Sequence, residues 1–255
     1  KISLDEFTAQ LDDDDLIHLL GGQPNTSVAN TYGYGNLPEY GVPNIMTADG
    51  PAGLRINPQC EVCTTAWPCA TLLASTWNPA LIEQVGTAGA AEVKENNIAV
   101  WLTPAVNIHR NPLCGRNFEY YSEDPLLAGK MGAAMVRGIQ SQHIAAAVKH
   151  FACNNKETNR KHSDSRVSER ALREIYLKAF EIIVKEADPW VIMSAYNMIN
   201  GHRASENHDL LEGILRDEWH FHGMVTSDWW TRGEHYKEIK AGNDVKMACG
   251  FPERV

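Results

Sequence analysis

The chain has 255 residues, 44% apolar and 22% charged, the make-up of an ordinary globular protein with length for one barrel or two small domains. Its 23 basic and 32 acidic residues leave a net charge of −9 with no basic run, which argues against a nucleic-acid partner held by phosphate neutralisation. No apolar stretch reaches bilayer length, so no membrane partner is expected, and no signal-peptide pattern opens the chain. It begins with Lys1 rather than Met, so its compartment, cytoplasmic or secreted, is unreadable.

Residues 1–22 read as an amphipathic helix with a capping box at Ser3 and Glu6. Within it, Asp12-Asp13-Asp14-Asp15 reads as a solvated helix face; a calcium loop would alternate its ligands around a central Gly. An irregular stretch rich in Asn, Thr, Tyr and Gly follows to about residue 41, making 1–41 a helix-and-loop extension. From there strands and helices alternate. Val42–Ala48 reads as a strand running into Asp49-Gly50, and Asn78-Pro79 opens a helix with Pro at its first position. Ile98–Leu102 runs into Thr103-Pro104, and Asp124-Pro125 opens the next helix. Ile144–Val148 runs into Lys149-His150, and Ser168 precedes a helix with apolar residues at helical spacing. Trp190–Ala195 runs into Tyr196-Asn197, and Asn207 caps the helix holding Leu210, Leu211, Ile214 and Leu215. Met224–Ser227, entered from Gly223, ends at Asp228-Trp229-Trp230, and Asp244–Met247 reads as the last strand.

Such alternation implies βαβ units and a parallel sheet. Polar residues at the carboxyl ends of several successive strands suit a (β/α)8 barrel, whose active site is built on that face. An open doubly wound sheet would gather its ligand groups at one switch point behind a glycine-rich loop. Gly33-Tyr34-Gly35 lacks the third glycine and precedes any convincing strand, so the barrel is the better reading. Asp228 is the most informative strand end. An unpaired carboxylate is costly to bury, so it is expected to face a cleft, with tryptophans of the kind that stack on sugar rings. The bland alternative is an Asp that caps the next helix.

Six cysteines, including Cys60-Glu61-Val62-Cys63 with Cys69 close behind, lack the second pair that a structural zinc site uses, so free thiols or one loop disulfide are expected and no metal. His220 and His222 fall before the Asp228 strand, at the opposite end from the proposed site, where structural roles prevail. No motif asks for a cofactor.

Five segments, TADGPAGLR at 47–55, CGRNFEYYSEDP at 114–125, KHFACNN at 149–155, MSAYN at 193–197 and VTSDWW at 225–230, resemble glycoside hydrolase family 3, in particular its β-glucosidase branch. They stand in the family's order and span the chain from about residue 41. The resemblance implies a TIM-like barrel accompanied by an α/β sandwich domain, and retaining hydrolysis of terminal β-linked sugars. It implies Asp228 as the nucleophile that forms the glycosyl-enzyme intermediate, and Asp49 as the carboxylate that holds sugar hydroxyls deep in the pocket. Arg116, Lys149 and His150 match the family's other hydroxyl-binding residues, with Arg55 their neighbour. Tyr196 matches the tyrosine beside the nucleophile, Met193 belongs to the same motif and substrate-binding set, and Trp229 matches an aromatic wall on the leaving-group side.

The chemistry is compatible. A pyranose ring needs acceptors such as Asp49 and donors such as Arg116, Lys149 and His150 at different azimuths. Cations near Asp228 are expected to favour its ionised form. For Lys149 and His150 an inert ion pair in the barrel is the plain alternative. A retaining enzyme also needs a second carboxyl roughly 5 Å from the nucleophile. The resemblance assigns that acid/base to the second domain, which this chain does not show, so the chain reads as a fragment whose barrel is incomplete at its C-terminal end. Glu119, Glu123, Glu157 and Asp164 are the candidates within the chain. The β-N-acetylglucosaminidase branch uses a His-Asp pair in a KHFPGHG context, which KHFACNNKETNRKHSDS lacks, although His162 and Asp164 mimic the pair. The β-xylosidase branch carries Glu where Asp49 sits, so a hexose is expected. A degenerate barrel that only binds carbohydrate is the reading of another class, and a lysine-dependent aldolase is disfavoured by the charged company of Lys149.

Overall fold

The computed structural model describes every residue except Lys1, Pro252 and Arg254. The expected capping box forms at helix α1 (Leu4–Thr8): Ser3 N–H donates to Glu6 at 2.7 Å and Glu6 N–H to the Ser3 hydroxyl at 3.1 Å. The long helix expected over 1–22 does not. A second box, Asp12 with Asp15, starts helix α2 (Asp13–Leu19), so the acidic run is a helix start. Carboxylates are better placed there, against unsatisfied N–H groups and the positive end of the helix dipole.

The stretch expected to be irregular contains strand β1 (Gly33–Leu37), paired antiparallel with β2 (Val42–Ala48). Its Gly-Tyr-Gly-Asn sequence hides a strand because Gly33 is there for space: a Cβ would lie 2.0 Å from the Asn44 amide oxygen. The chain continues through α3 (Ala70–Ala74), α4 (Pro79–Glu95), β3 (Val100–Trp101), α5 (Pro125–Gln140), β4 (Ala145–Phe151) and β5 (Asp164–Ser165). It goes on through α6 (Glu169–Ala171), a π-helical turn, α7 (Lys178–Ala187), β6 (Val191–Ser194), β7 (Met198–Ile199) and β8 (His202–Arg203). A π-helical segment at Asp209–Glu218, β9 (Met224–Ser227) and α8 (His235–Lys240) follow. Asn207 caps the π-helical segment as expected, accepting from Leu210 N–H at 3.2 Å.

The main sheet has the order β1-β2-β3-β4-β6-β9, parallel from β2 onward, and β5, β7 and β8 form a small separate sheet. Residues 244–247, expected as a last strand, join instead through single bridges. Val245 O accepts from Ser227 N–H, Lys246 N–H donates to Leu20 O, and Gly22 N–H donates to Lys246 O, each at 2.9 Å. Gln23 N–H then donates to Gly33 O at 2.8 Å, which returns to β1. The curled sheet thus has its edges linked by two extended segments, one from each end of the chain.

Alternation along the strands builds two cores, as a closed sheet requires. Val100, Leu102, Ala145, Ala147, Val191, Met193, Val245 and Met247 point inward, with Tyr34, and Trp229 packs against them. Trp101, Ala146, Val148, Ile192 and Val225 point outward under the helices. Glycines let α4 and α5 approach closely: a Cβ on Gly138 would lie 2.2 Å from Glu83 O. His220 and His222 are exposed before β9, in keeping with a structural place. The cysteines are free thiols among the described residues, and no helix there is long and apolar enough to cross a membrane.

Candidate active site

Strand ends on one face of the sheet carry the expected side chains. At the end of β2, the Asp49 carboxylate accepts from Lys149 Nζ at 2.8 Å and Arg55 Nη1 at 3.3 Å. A tight turn returns Arg55 to Asp49, with Arg55 N–H on Asp49 O at 2.9 Å. It works because Gly50 has φ +127°, where any Cβ would lie 1.7 Å from Gly53 O. Burial alone would raise the Asp49 pKa, but Lys149 and then Arg55 hold it down at about 2, so it is a fixed anion.

Consecutive strand residues normally face opposite sides, yet Lys149 and His150 both reach this face. The register between β4 and β6 shifts between Val148 and Phe151, and that bulge re-aims the two side chains. Asn107, after β3, clamps the main chain there: its amide donates to His150 O and accepts from His150 N–H, both at 2.9 Å. Lys149 is 3% exposed and His150 1%. Burial, then Arg116, Lys149 and Arg160, push the His150 pKa well below its ordinary value, so the ring is neutral. Its Nδ1 lies 3.3 Å from the Tyr120 hydroxyl and its Nε2 3.8 Å from Asp228 Oδ2. With a neutral ring that second contact is dipole to charge, not an ion pair.

Asp228 follows β9 and is buried, its N–H on Ser194 O at 3.1 Å. Oδ1 accepts from Trp229 N–H at 2.7 Å, while Oδ2 is buried without a hydrogen bond among the described residues. The cations expected nearby are present, but they do not prevail. Burial raises the pKa above the ordinary carboxylate range despite Arg116, Lys149, the Trp229 N–H and the Tyr196 hydroxyl, which all lower it. Arg116 is oriented by the buried Glu119 carboxylate beside it. Tyr196 donates to Trp229 O at 2.5 Å, and burial with the adjacent Asp228 charge raises its own pKa.

Asp49, Arg55 and Lys149 therefore form one bonded set, while His150, next along the chain from Lys149, faces Asp228, with Arg116 and Tyr196 beside it. Met193 lies deeper, 1% exposed in the inner apolar cluster, and Trp229 is partly buried against that cluster. Of the carboxyl candidates, Glu119 serves Arg116, Glu157 pairs with Arg160 at 3.0 Å, Asp164 pairs with Arg166 at 2.8 Å, and Glu123 is exposed. Sequence reasoning missed Asn107, Tyr120, Arg160 and Lys161. Only the run KETNRK, polar and basic immediately beyond a strand-end motif, offered a signal for the last two. A cleft of about 780 Å3 lies among loops including Arg110, Cys114, Lys156 and Arg166; the carboxyl candidates Glu157 and Asp164 line it, but Asp228 and the expected sugar-binding residues do not. The convergence of charged side chains around Asp49 and Asp228 marks the candidate site instead.

Residues 34–249 match the glycosyl hydrolase family 3 N terminal domain. The chain belongs to that family. Its sequence is 67% identical to beta-glucosidase A of Butyrivibrio fibrisolvens over all 255 residues, which is 31% of that protein. It is 47% identical over 222 residues, 84% of this chain and 29% of the other, to an exo-alpha-(1->6)-L-arabinopyranosidase of Bifidobacterium longum. Beta-glucosidase 3B of Thermotoga neapolitana, solved with glucose, superposes with a TM-score of 0.92 at 50% identity, over 95% of this chain and 36% of that one. The chain spans about a third of the length of these family 3 relatives, and the TIM-like fold expected from its strand ends is the family's.

Proposed function

We propose that this chain is the nucleophile-bearing barrel of a retaining β-glucosidase that releases terminal β-D-glucose from β-glucosides or short β-glucans. One observation carries the reading. Asp228 presents a buried carboxylate oxygen without a hydrogen-bond donor to a face lined with sugar-compatible donors and acceptors. A lone pair kept free in that position can attack an anomeric carbon. Asp49, Arg55, Arg116, Lys149 and His150 would hold the glucose hydroxyls. Asp49 is an acceptor of fixed charge, and Lys149 and Arg116 are donors whose hydrogen bonds strengthen as the ring becomes oxocarbenium-like. Tyr196 would steady the nucleophile, Met193 would floor the pocket, and Trp229 would wall its leaving-group side. No cofactor or metal enters the reaction. The acid/base would come from a second α/β domain: of the four candidates within the chain, Glu119, Glu157 and Asp164 are held in ion pairs and Glu123 is exposed.

The decisive experiment is covalent trapping. Full-length protein incubated with an aryl 2-deoxy-2-fluoro-β-glucoside should gain one fluoroglucosyl mass on the peptide containing Asp228. Labelling elsewhere, or continued turnover without label, overturns the assignment. The relative named for an arabinopyranosidase gives weight to a second reading, an exo-glycosidase acting on a pyranoside other than glucose, such as a β-xyloside. Comparing kcat/KM on aryl glucoside, xyloside and arabinopyranoside chooses between them.

A further inference from the structure

Beyond Tyr196 the rim of the site is cationic, and the proposed reaction does not use it. Lys161 Nζ donates to Trp230 O at 3.0 Å and lies 4.9 Å from the centre of the Tyr196 ring. The Arg160 guanidinium lies 4.8 Å from the same centre. Arg160 is paired with Glu157, but among the described residues no carboxylate lies within 4.0 Å of Lys161 or Arg232. These charges are felt together: burial, then Arg160 and Arg232, lower the Lys161 pKa, and Asp228 works against them. In a chain of net charge −9, three cations beside Asp228, with Arg160 alone of the three ion-paired among the described residues, are a local inversion. Trp230, 47% exposed, offers an indole surface at the same place.

Direction follows from strand order. Asp49, Arg55, Lys149 and His150 come from the ends of β2 and β4, while Tyr196, Trp229 and Trp230 come from β6 and β9. A glucose that hangs its hydroxyls on the first group, with its anomeric carbon over Asp228, points its glycosidic bond past Tyr196 toward Lys161. We propose that this rim is a leaving-group subsite selecting glucosides whose aglycone carries an anionic group, with Lys161 as the residue that meets that charge. The proposal rests on the glycosidase reading and adds the class of leaving group. Lys161 is well suited to meet an anion. Its ammonium has further donor capacity beyond Trp230 O, and an arriving negative charge would relieve its repulsion with Arg160 and Arg232.

The experiment compares two aryl β-glucosides of matched leaving-group pKa, 4-(carboxymethyl)phenyl β-glucoside and its methyl ester, on full-length protein. The carboxylate should be favoured in kcat/KM by about fivefold at low ionic strength, the scale of one partly screened charge pair, and salt should bring the ratio toward one. Lys161→Met should bring the ratio to one at low salt, and Lys161→Arg should keep it. Because each ratio is internal to one protein, a general loss of activity in a variant leaves the reading intact. A wild-type ratio of one, a ratio insensitive to salt, or a preference that survives Lys161→Met overturns the proposal. If neither compound is hydrolysed, the glycosidase reading fails and takes this one with it; equal hydrolysis removes the anionic preference alone.

Discussion

Two sets of buried charges sit in this barrel, and they are finished differently. Lys246 and Glu238, 1% and 0% exposed, form a closed circuit. Lys246 Nζ donates to Glu238 at 2.5 Å, Thr231 Oγ1 at 2.9 Å and Gly233 O at 3.0 Å, while Glu238 also accepts from Ser205 at 2.6 Å. Ser205 O accepts from Asn243, whose amide oxygen accepts from Ser194, so the circuit ends against the strand that holds the Asp228 N–H. Around Asp228 the ingredients are similar but the circuit is open. Oδ2 has no donor, and the amide oxygens of Asn154 and Asn197 are buried without partners among the described residues. The Lys246 circuit is satisfied and holds shape, whereas the unmet oxygen of Asp228 leaves capacity that a ligand can take up.

The strongest way to break that contrast is at Asp228, the proposed nucleophile. Asp228→Asn should lower kcat on an aryl β-glucoside by at least about 10^4-fold, as loss of a covalent nucleophile does. Its melting temperature should hold or rise, because a buried, poorly solvated charge has been removed. A melting temperature that falls with activity would mean the open set also carries the fold.

The converse substitution belongs to the closed set. Lys246→Met leaves Glu238 buried and unpaired and should cost about 3–5 kcal/mol in denaturant unfolding. Adding Glu238→Gln should recover part of that loss, since the uncompensated charge is then gone. If the single variant is as stable as wild type, the circuit is not structural.

A subtler change is at Tyr196, whose hydroxyl is bonded to Trp229 O yet stands near enough to Asp228 to lower its pKa against the burial that raises it. Without that hydroxyl the carboxylate becomes harder to ionise, so in Tyr196→Phe the acid limb of the pH profile of kcat/KM should move to higher pH. An unmoved limb would separate Tyr196 from the ionisation of Asp228.

The smallest effect concerns Asp49. Its folded pKa of about 2 lies below the ordinary 3.8, so the stability it contributes is whole above pH 4 and drains away as pH falls toward 2. The penalty of Asp49→Asn in unfolding free energy should therefore be larger at pH 6 than at pH 2.5, by about 2 kcal/mol. Equal penalties at both pH values would show that its tie to Lys149 does little for the fold.

Much of this was legible in the residues, because apolar strands ending in polar pairs announce a sheet with a functional edge. Val42–Ala48 is a strand as read, and the helix starts at Asn78-Pro79 and Asp124-Pro125 are where their caps put them. The misreadings share a cause. The strand at 33–37 is made by pairing with β2, and residues 244–247 join the ring through contacts with 20–22 at the other end of the chain. Local pattern cannot report a partner that distant.

The sequence alone determined which groups crown the barrel: Asp49, Lys149, His150, Tyr196 and Asp228 stand where the apolar run of each buried strand gives way to polar residues. Their charge states were decided only by the tertiary structure. Depth in the fold sets how much water each group loses and which neighbour replaces it. Lys149 keeps Asp49 ionised, burial leaves His150 neutral, and Asp228 is raised although cations surround it.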